Sequence, residues 1–143
     1  MIPTIKIKKL HPAAQLPAYA TPGAACFDLR AAEGHRVPPN AIVAVGTGLA
    51  MEIPEGWRLD LYSRSGHALR AICLANGVGK IDSDYRGEVM ALIANRGEED
   101  FIIRQGDRIA QGEINPVVPA VFEEAKKLEE TERGVGGFGS TGS

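Results

Sequence analysis

AIVAVGTGLAMEIPEGWRLDLYSR, residues Ala41–Arg64, decides the fold. Two β-type runs, AIVAVGTGLAMEI (41–53) and WRLDLYSR (57–64), flank the turn former Pro54-Glu55-Gly56. Each is an apolar-rich stretch of strand character bounded by chain-reversing residues. The pattern continues outward in both directions. FDLRA (27–31) precedes it, and GEVMALIAN (87–95), FIIR (101–104) and DRIAQGEI (107–114) follow. The opening TIKIKKL alternates Ile5 and Ile7 with Lys6 and Lys8, the period-two signature of a strand with one wet face. Turn formers separate the runs: Pro38-Pro39-Asn40, Asn76-Gly77, Asn95-Arg96-Gly97 and Gln105-Gly106-Asp107. Many short strands punctuated in this way predict an all-β sandwich or closed barrel.

Helical signal is thin. HALRAI (67–72) has the composition for one or two turns. FEEAKKLEE (122–130) offers only Phe122, Ala125 and Leu128 as an apolar stripe, which favours a solvated charged segment over a docked helix. There is no internal repeat. The chain therefore reads as a β body, residues 1–120, and a polar arm ending in glycines, residues 121–143.

A length of 143 residues suits one domain, large enough to bury about 70% of its unfolded surface without staples. The formal charge of −2 supplies no basic surplus for bulk binding of nucleic acid or an anionic membrane. A few arginines gathered in one cleft would still hold a small anion. Cys26 and Cys73 form no CxxC and read as small buried apolar residues, and His11, His35 and His67 lack zinc-ligand spacing. No targeting segment or membrane-length apolar run is apparent, so a reduced, cytoplasmic setting is expected.

Several stretches carry chemistry. RGVGGFGSTGS, at the C-terminus, fits GxGxxG through Gly134, Gly136 and Gly139, and nearly fits a phosphate loop with Ser140 at the lysine position. No strand–loop–helix context surrounds it, so neither motif holds as such. Its glycine N–H groups, the Ser140 and Thr141 hydroxyls and the Arg133 charge nonetheless suit a phosphate. Phe138 is an aromatic that needs a surface to cover. YSRSG (62–66) sets Arg64 between two serines, a common phosphate-holding combination or simply a turn with a solvent-facing arginine. In NGVGKIDSDYRGE (76–88), Asn76-Gly77 suggests a tight hairpin turn. In an extended strand Asp82 and Asp84 would share one face and Tyr85 the other, giving paired carboxylates for metal binding or general-base work, or a polar strand edge. In AACFDLRAA (24–32), Asp28 either pairs with Arg30 or faces a polar site. In RIAQ (108–111), Arg108 and Gln111 lie near a strand that could line a cleft.

Taken together and in this order, AACFDLRA, SRSG, NGVGKIDSDYRGE, DRIAQ and RGVGGFGST resemble the five sequence motifs of the trimeric dUTPases, the deoxyuridine triphosphate nucleotidohydrolases. The resemblance covers nearly the whole chain, from about Lys6 to the end. It implies a distorted β-barrel or jelly roll with at most one short helix and a flexible C-terminal arm. It implies a homotrimer whose shared sites hydrolyse dUTP to dUMP and pyrophosphate, limiting uracil incorporation into DNA and supplying dUMP for thymidylate synthesis. By matching position, Asp82 is the catalytic aspartate that activates water against the α-phosphorus, with Mg2+ on the phosphates and Asp28 holding the metal through water. Arg64, Ser65, Gly66 and Gln111 match phosphate contacts. Asn76 and the backbone of Lys80, Ile81 and Asp82 match the uracil readers. Tyr85 matches the residue under the deoxyribose, and Met90 a position near the nucleotide. Arg133, Gly139, Ser140 and Thr141 match the lid over the γ-phosphate, and Phe138 the ring that stacks on uracil. Two positions depart from the pattern. Ser63 replaces the usual proline, which implies a less rigid turn, and Lys80 stands where an apolar residue is common, an extra cation for phosphate or a neighbouring chain. Two alternatives remain: a dCTP deaminase on the same fold, against which the absence of a matching acid after SRSG speaks, and a non-catalytic nucleotide-responsive binding protein.

Overall fold

The structure, a computed structural model, describes residues 1–142. Eleven strands and one helical turn follow in order: β1 (Lys6–Lys9), β2 (Ala18–Tyr19), β3 (Phe27–Arg30), β4 (His35–Val37), β5 (Ile42–Glu52), β6 (Trp57–Tyr62), α1 (Ser65–Ala68), β7 (Ile72–Leu74), β8 (Gly79–Ile81), β9 (Glu88–Asn95), β10 (Phe101–Ile103) and β11 (Arg108–Pro116). They form a four-stranded sheet in the order β1-β5-β9-β7, a five-stranded sheet β2-β3-β11-β6-β8, and a β10-β4 ribbon. Every ladder is antiparallel. The all-β fold with one short helix agrees with the sequence reading.

Alternation decides which side of each strand meets the core. Along β9, Val89, Ala91 and Ile93 are buried while Met90 and Leu92 are partly exposed. Along β6, Leu59 and Leu61 are buried, and they join Leu29, Val45, Leu49, Val89, Ile93 and Ile109 in one apolar cluster. Each such side chain contributes roughly 1.5–3 kcal/mol on burial. The long strand β5 does not run straight. Its register with β9 slips between Gly46 and Ala50, and Gly48 has φ +67°. A Cβ there would sit 2.8 Å from the Cβ of His11 and 2.9 Å from that of Ala14, so only glycine fits this bulge. The turn at Asn95-Arg96-Gly97 has its own anchor. Asn95, buried, donates from Nδ2 to Val37 O (2.9 Å) and Glu99 O (2.7 Å), and its Oδ1 accepts from Gly97 N (2.9 Å).

Four local expectations are corrected. Asn76-Gly77 does not close a hairpin: β7 pairs with β9 and β8 pairs with β6, so the turn carries the chain from one sheet to the other. Asp82–Tyr85 is not extended. The Tyr85 N–H donates to Asp82 O (3.2 Å), which makes it a tight turn and cancels the alternation argument for its side chains. The helical turn begins at Ser65, not His67, and Ile72 already belongs to β7. Segment 122–130 is solvated and not helical, as its sparse apolar stripe predicts. Cys26 and Cys73 are free and half-buried, not fully buried.

Asp60 is the one charged residue buried among those described, with its side chain 2% exposed. It accepts from Arg58 Nε (3.0 Å), Lys80 Nζ (2.9 Å) and Asn115 Nδ2 (2.9 Å), tying β6, β8 and β11 together. Burial pushes its carboxyl up, but the hydrogen bonds from Arg58, Lys80 and Asn115 together hold it below the usual carboxylate range. The native state then binds fewer protons than the unfolded chain. The stabilisation is complete above the unfolded pKa of about 4 and is lost as pH falls through the lower native value. Asp60→Asn is expected to lower the urea midpoint at neutral pH and to flatten its decline in acid. An unchanged acid slope would place that sensitivity on other carboxylates.

Candidate active site

The candidate residues fall into two clusters and an arm. The first cluster lies where β3, β11 and the start of α1 meet. Asp28 stands opposite Gln111 across the β3–β11 ladder, and Gln111 stands opposite Tyr62 on β6. Asp28 does not pair with Arg30, whose guanidinium donates to Gly106 O (2.8 Å). It faces two other cations instead: Arg64 Nε at 3.6 Å and Arg108 Nη1 at 3.5 Å. Both contacts are longer than a close hydrogen bond, so guanidinium donors stay available. Gln111 Nε2 donates to Ser63 O (3.1 Å), and Ser63 Oγ accepts from Leu74 N (2.8 Å). The turn that lacks proline is therefore tied to β7 by the serine hydroxyl, which offsets the looseness the substitution implies. Ser65 and Gly66 are exposed beside Arg64.

The second cluster follows β8. Asp82 is exposed and begins the tight turn that ends at Tyr85. Asp82 and Asp84 line a cleft of about 780 Å³ with Trp57, Arg58 and Arg86. The Tyr85 hydroxyl donates to Glu88 O (3.1 Å), and its ring occupies the space a side chain at Gly87 would need. Asn76 sits exposed at the turn preceding β8, and Ile81 is half-buried. The Lys80 backbone belongs to β8, while its side chain goes to Asp60 of the same chain, not toward a phosphate or a neighbour. Met90 is set apart: it lines a different cleft, of about 210 Å³, with His11, Glu33 and Glu88.

The two clusters do not meet within one chain. Ile81 pairs with Leu59, so Asp82 lies beyond the Arg58 end of β6, whereas Arg64 follows its other end. Six residues of extended chain separate Arg58 from Arg64, roughly 20 Å at the rise of a strand.

The arm leaves β11 after Pro116. Among the described residues, every hydrogen bond of 118–142 stays inside the arm. Arg133 Nε donates to Gly136 O (2.8 Å), and Ser140 N donates to Gly137 O (3.0 Å). Gly139 has φ +88°, and Thr141 is exposed. Phe138 is fully exposed, with φ 51°.

Sequence reasoning missed two groupings. Arg58, Asp60 and Asn115 gave no signal, because a charged residue on the outer face of a strand reads as solvated. Arg70 and Arg104, 34 positions apart, have no common motif, yet they line one cleft with Arg64 and Arg108.

The dUTPase family profile matches residues 13–142, and the chain belongs to that family. It is 48% identical over 139 residues to the deoxyuridine 5'-triphosphate nucleotidohydrolase of Wolinella succinogenes, covering 96% of this chain and 93% of that protein. It is 49% identical to the protein of the same name from Syntrophotalea carbinolica, covering 97% of each. Its fold superposes on the solved Staphylococcus bacteriophage 80alpha dUTPase with dUPNHPP at a TM-score of 0.90 and 28% identity, covering 98% of this chain and 99% of that one. No helix among the described residues is long and apolar enough to cross a membrane.

Proposed function

We propose that this chain is a dUTP diphosphatase, releasing pyrophosphate from dUTP to leave dUMP, at sites shared between the copies of a homotrimer. The observation that carries the shared site is the placement of Asp82 and Arg64 at opposite ends of β6. A general base must lie within hydrogen-bond reach of the water it activates. The phosphate cluster of the same chain is too far away, so the Asp82 turn of one copy serves the Arg64 cluster of another.

In this reading Asp82 accepts the proton of the water attacking the α-phosphorus. Arg64, Ser65, Gly66 and Gln111 hold the phosphates and draw off developing charge, the larger part of phosphoryl-transfer catalysis. Asn76 and the backbone through Lys80 and Ile81 read the uracil edge. Cytosine would meet donors with a donor, at about 1–3 kcal/mol per unpaired group. Tyr85, locked by its bond to Glu88 O, is a rigid plate under the deoxyribose. Met90, two residues beyond Glu88, flanks that anchor. The arm of a third copy closes the site, with Arg133, Gly139, Ser140 and Thr141 on the γ-phosphate and Phe138 on the base. A ring fully exposed in its own chain fits such a lid.

The donor set fits magnesium brought in by the substrate. Among the described residues no three acidic, histidine or cysteine side chains converge into a cage. Asp28 is a single half-buried carboxylate beside the phosphate cluster, and magnesium commonly takes one or two carboxylates, waters and substrate phosphates. When bound it would neutralise phosphate charge. By removing dUTP the protein would limit uracil incorporation into DNA and supply dUMP for thymidylate synthesis, in the cytoplasm.

The test is product analysis with magnesium, together with solution mass. We expect dUMP and pyrophosphate from dUTP, far slower turnover of dCTP, dTTP and UTP, and an assembly of three 15.2 kDa chains. Ammonia from dCTP, or dUTP bound without hydrolysis, would overturn the reading.

A further inference from the structure

Next to the Asp28 cluster, and sharing Arg64 and Arg108 with it, a cleft of about 280 Å³ is lined by Arg64, His67, Arg70, Arg104, Asp107 and Arg108 with Phe101. Four arginines line it in a chain whose net charge is −2. Only two carboxylates answer them. Asp28 is shared by Arg64 and Arg108 at 3.6 and 3.5 Å, and Asp107 is also engaged by the Arg104 backbone N–H (2.8 Å). The side chains of Arg70 and Arg104 make no hydrogen bond or ion pair with any described residue. The cleft thus keeps a surplus of about two positive charges, a local field that draws anions.

Its walls are organised. The Arg70 guanidinium lies over the Phe101 ring, 5.0 Å from the centroid, and the His67 ring meets Phe101 edge-on at 5.2 Å. These contacts order two of the side chains around the Phe101 ring, which is itself buried. The volume, about 280 Å³, sits at the small end of ligand pockets, roughly 300–1,000 Å³, and suits a compact ligand. Guanidinium forks bind oxyanions through paired hydrogen bonds, and several arginines around a small space suit a compact polyanion with many oxygens, such as an inorganic phosphoanion.

We propose that this cleft is a holding site for inorganic diphosphate, which it receives from the adjoining Arg64 when the reaction product leaves. The product assignment rests on the dUTP-hydrolysing reading; the anion site itself does not.

His67 is a built-in reporter. Burial lowers its pKa, the neighbouring Arg64, Arg70 and Arg108 lower it further, and Asp107 opposes them in part. A bound anion would raise it. In an NMR titration of the full-length protein with sodium pyrophosphate, His67 should shift saturably and titrate at higher pH, while His11 and His35 stay put. Arg70→Ala and Arg104→Ala should each weaken binding about tenfold, the worth of one charge-assisted hydrogen bond. Arg104→Glu, at an exposed side chain, gives a further variant that should fold normally and abolish the response. No saturable His67 shift, or a shift indifferent to all three variants, overturns the proposal. Repeating the titration with the imido analogue of dUTP at saturation separates free diphosphate from the end of a bound triphosphate. A retained His67 response supports the separate site, and a blocked one overturns it. dUTP turnover is followed on the same sample. Hydrolysis without a His67 response removes the cleft alone, whereas a response in a chain that leaves dUTP intact supports the cleft and removes the hydrolase reading.

Discussion

Asp82→Asn is expected to leave folding and dUTP binding nearly intact and to lower kcat by about 10²–10⁴-fold, the usual worth of a positioned general base. The expectation is clean because, among the described residues, the Asp82 side chain makes no hydrogen bond or ion pair. The turn it begins is held by its backbone carbonyl, which accepts from Tyr85 N (3.2 Å) and is untouched by the substitution. Asparagine keeps the shape and loses only the capacity to take a proton. Steady-state kinetics with the melting temperature as control would show a fall in kcat with little change in KM. Wild-type turnover by the variant would remove Asp82 from the base role.

Truncation after Glu132 is the second large effect. We expect unchanged melting and an unchanged trimer mass, because no hydrogen bond of 118–142 reaches the body of the same chain. We expect kcat to fall by about 10²–10³-fold, since loss of even one oriented donor at a developing charge costs that much. A sharper test mixes the two damaged proteins. Asp82→Asn chains have intact arms, and truncated chains have intact Asp82. If one site draws on several copies, refolding them together should restore part of the activity that neither has alone. No recovery in mixed trimers would mean that base and lid come from the same chain. Full activity of the truncated chain would make the arm irrelevant to the chemistry.

Much of the fold was legible because strand signals are local. The runs at 41–53 and 57–64 became β5 and β6 with ends moved by one or two residues, and the alternation at Ile5 and Ile7 became β1. The Asn76-Gly77 turn was legible as a turn, but its consequence was not. Gly77, at φ +71°, takes the left-handed conformation such a turn needs, and nothing local says whether the next strand joins the same sheet. Asp82–Tyr85 misled for a related reason: alternation has meaning only once the segment is known to be extended. Lys80 and Asp60 show the limit most clearly. Lys80 reads as an extra cation for phosphate or a neighbouring chain and Asp60 carries no motif, and only the β6–β8 register, Asp60 opposite Lys80, joins them in an ion pair on a buried carboxylate.

By itself the sequence determined the strand pattern, the solvated arm and the ordered set of motifs that name the family. All of these are properties of near neighbours along the chain. Tertiary structure alone decided which strands pair, how far Asp82 lies from Arg64, and that Arg64, Arg70, Arg104 and Arg108 share one cleft. The physical reason is that a strand's periodicity reports which of its faces is apolar. Its partner and register depend on the packing of distant segments, and those two choices set every distance in the site.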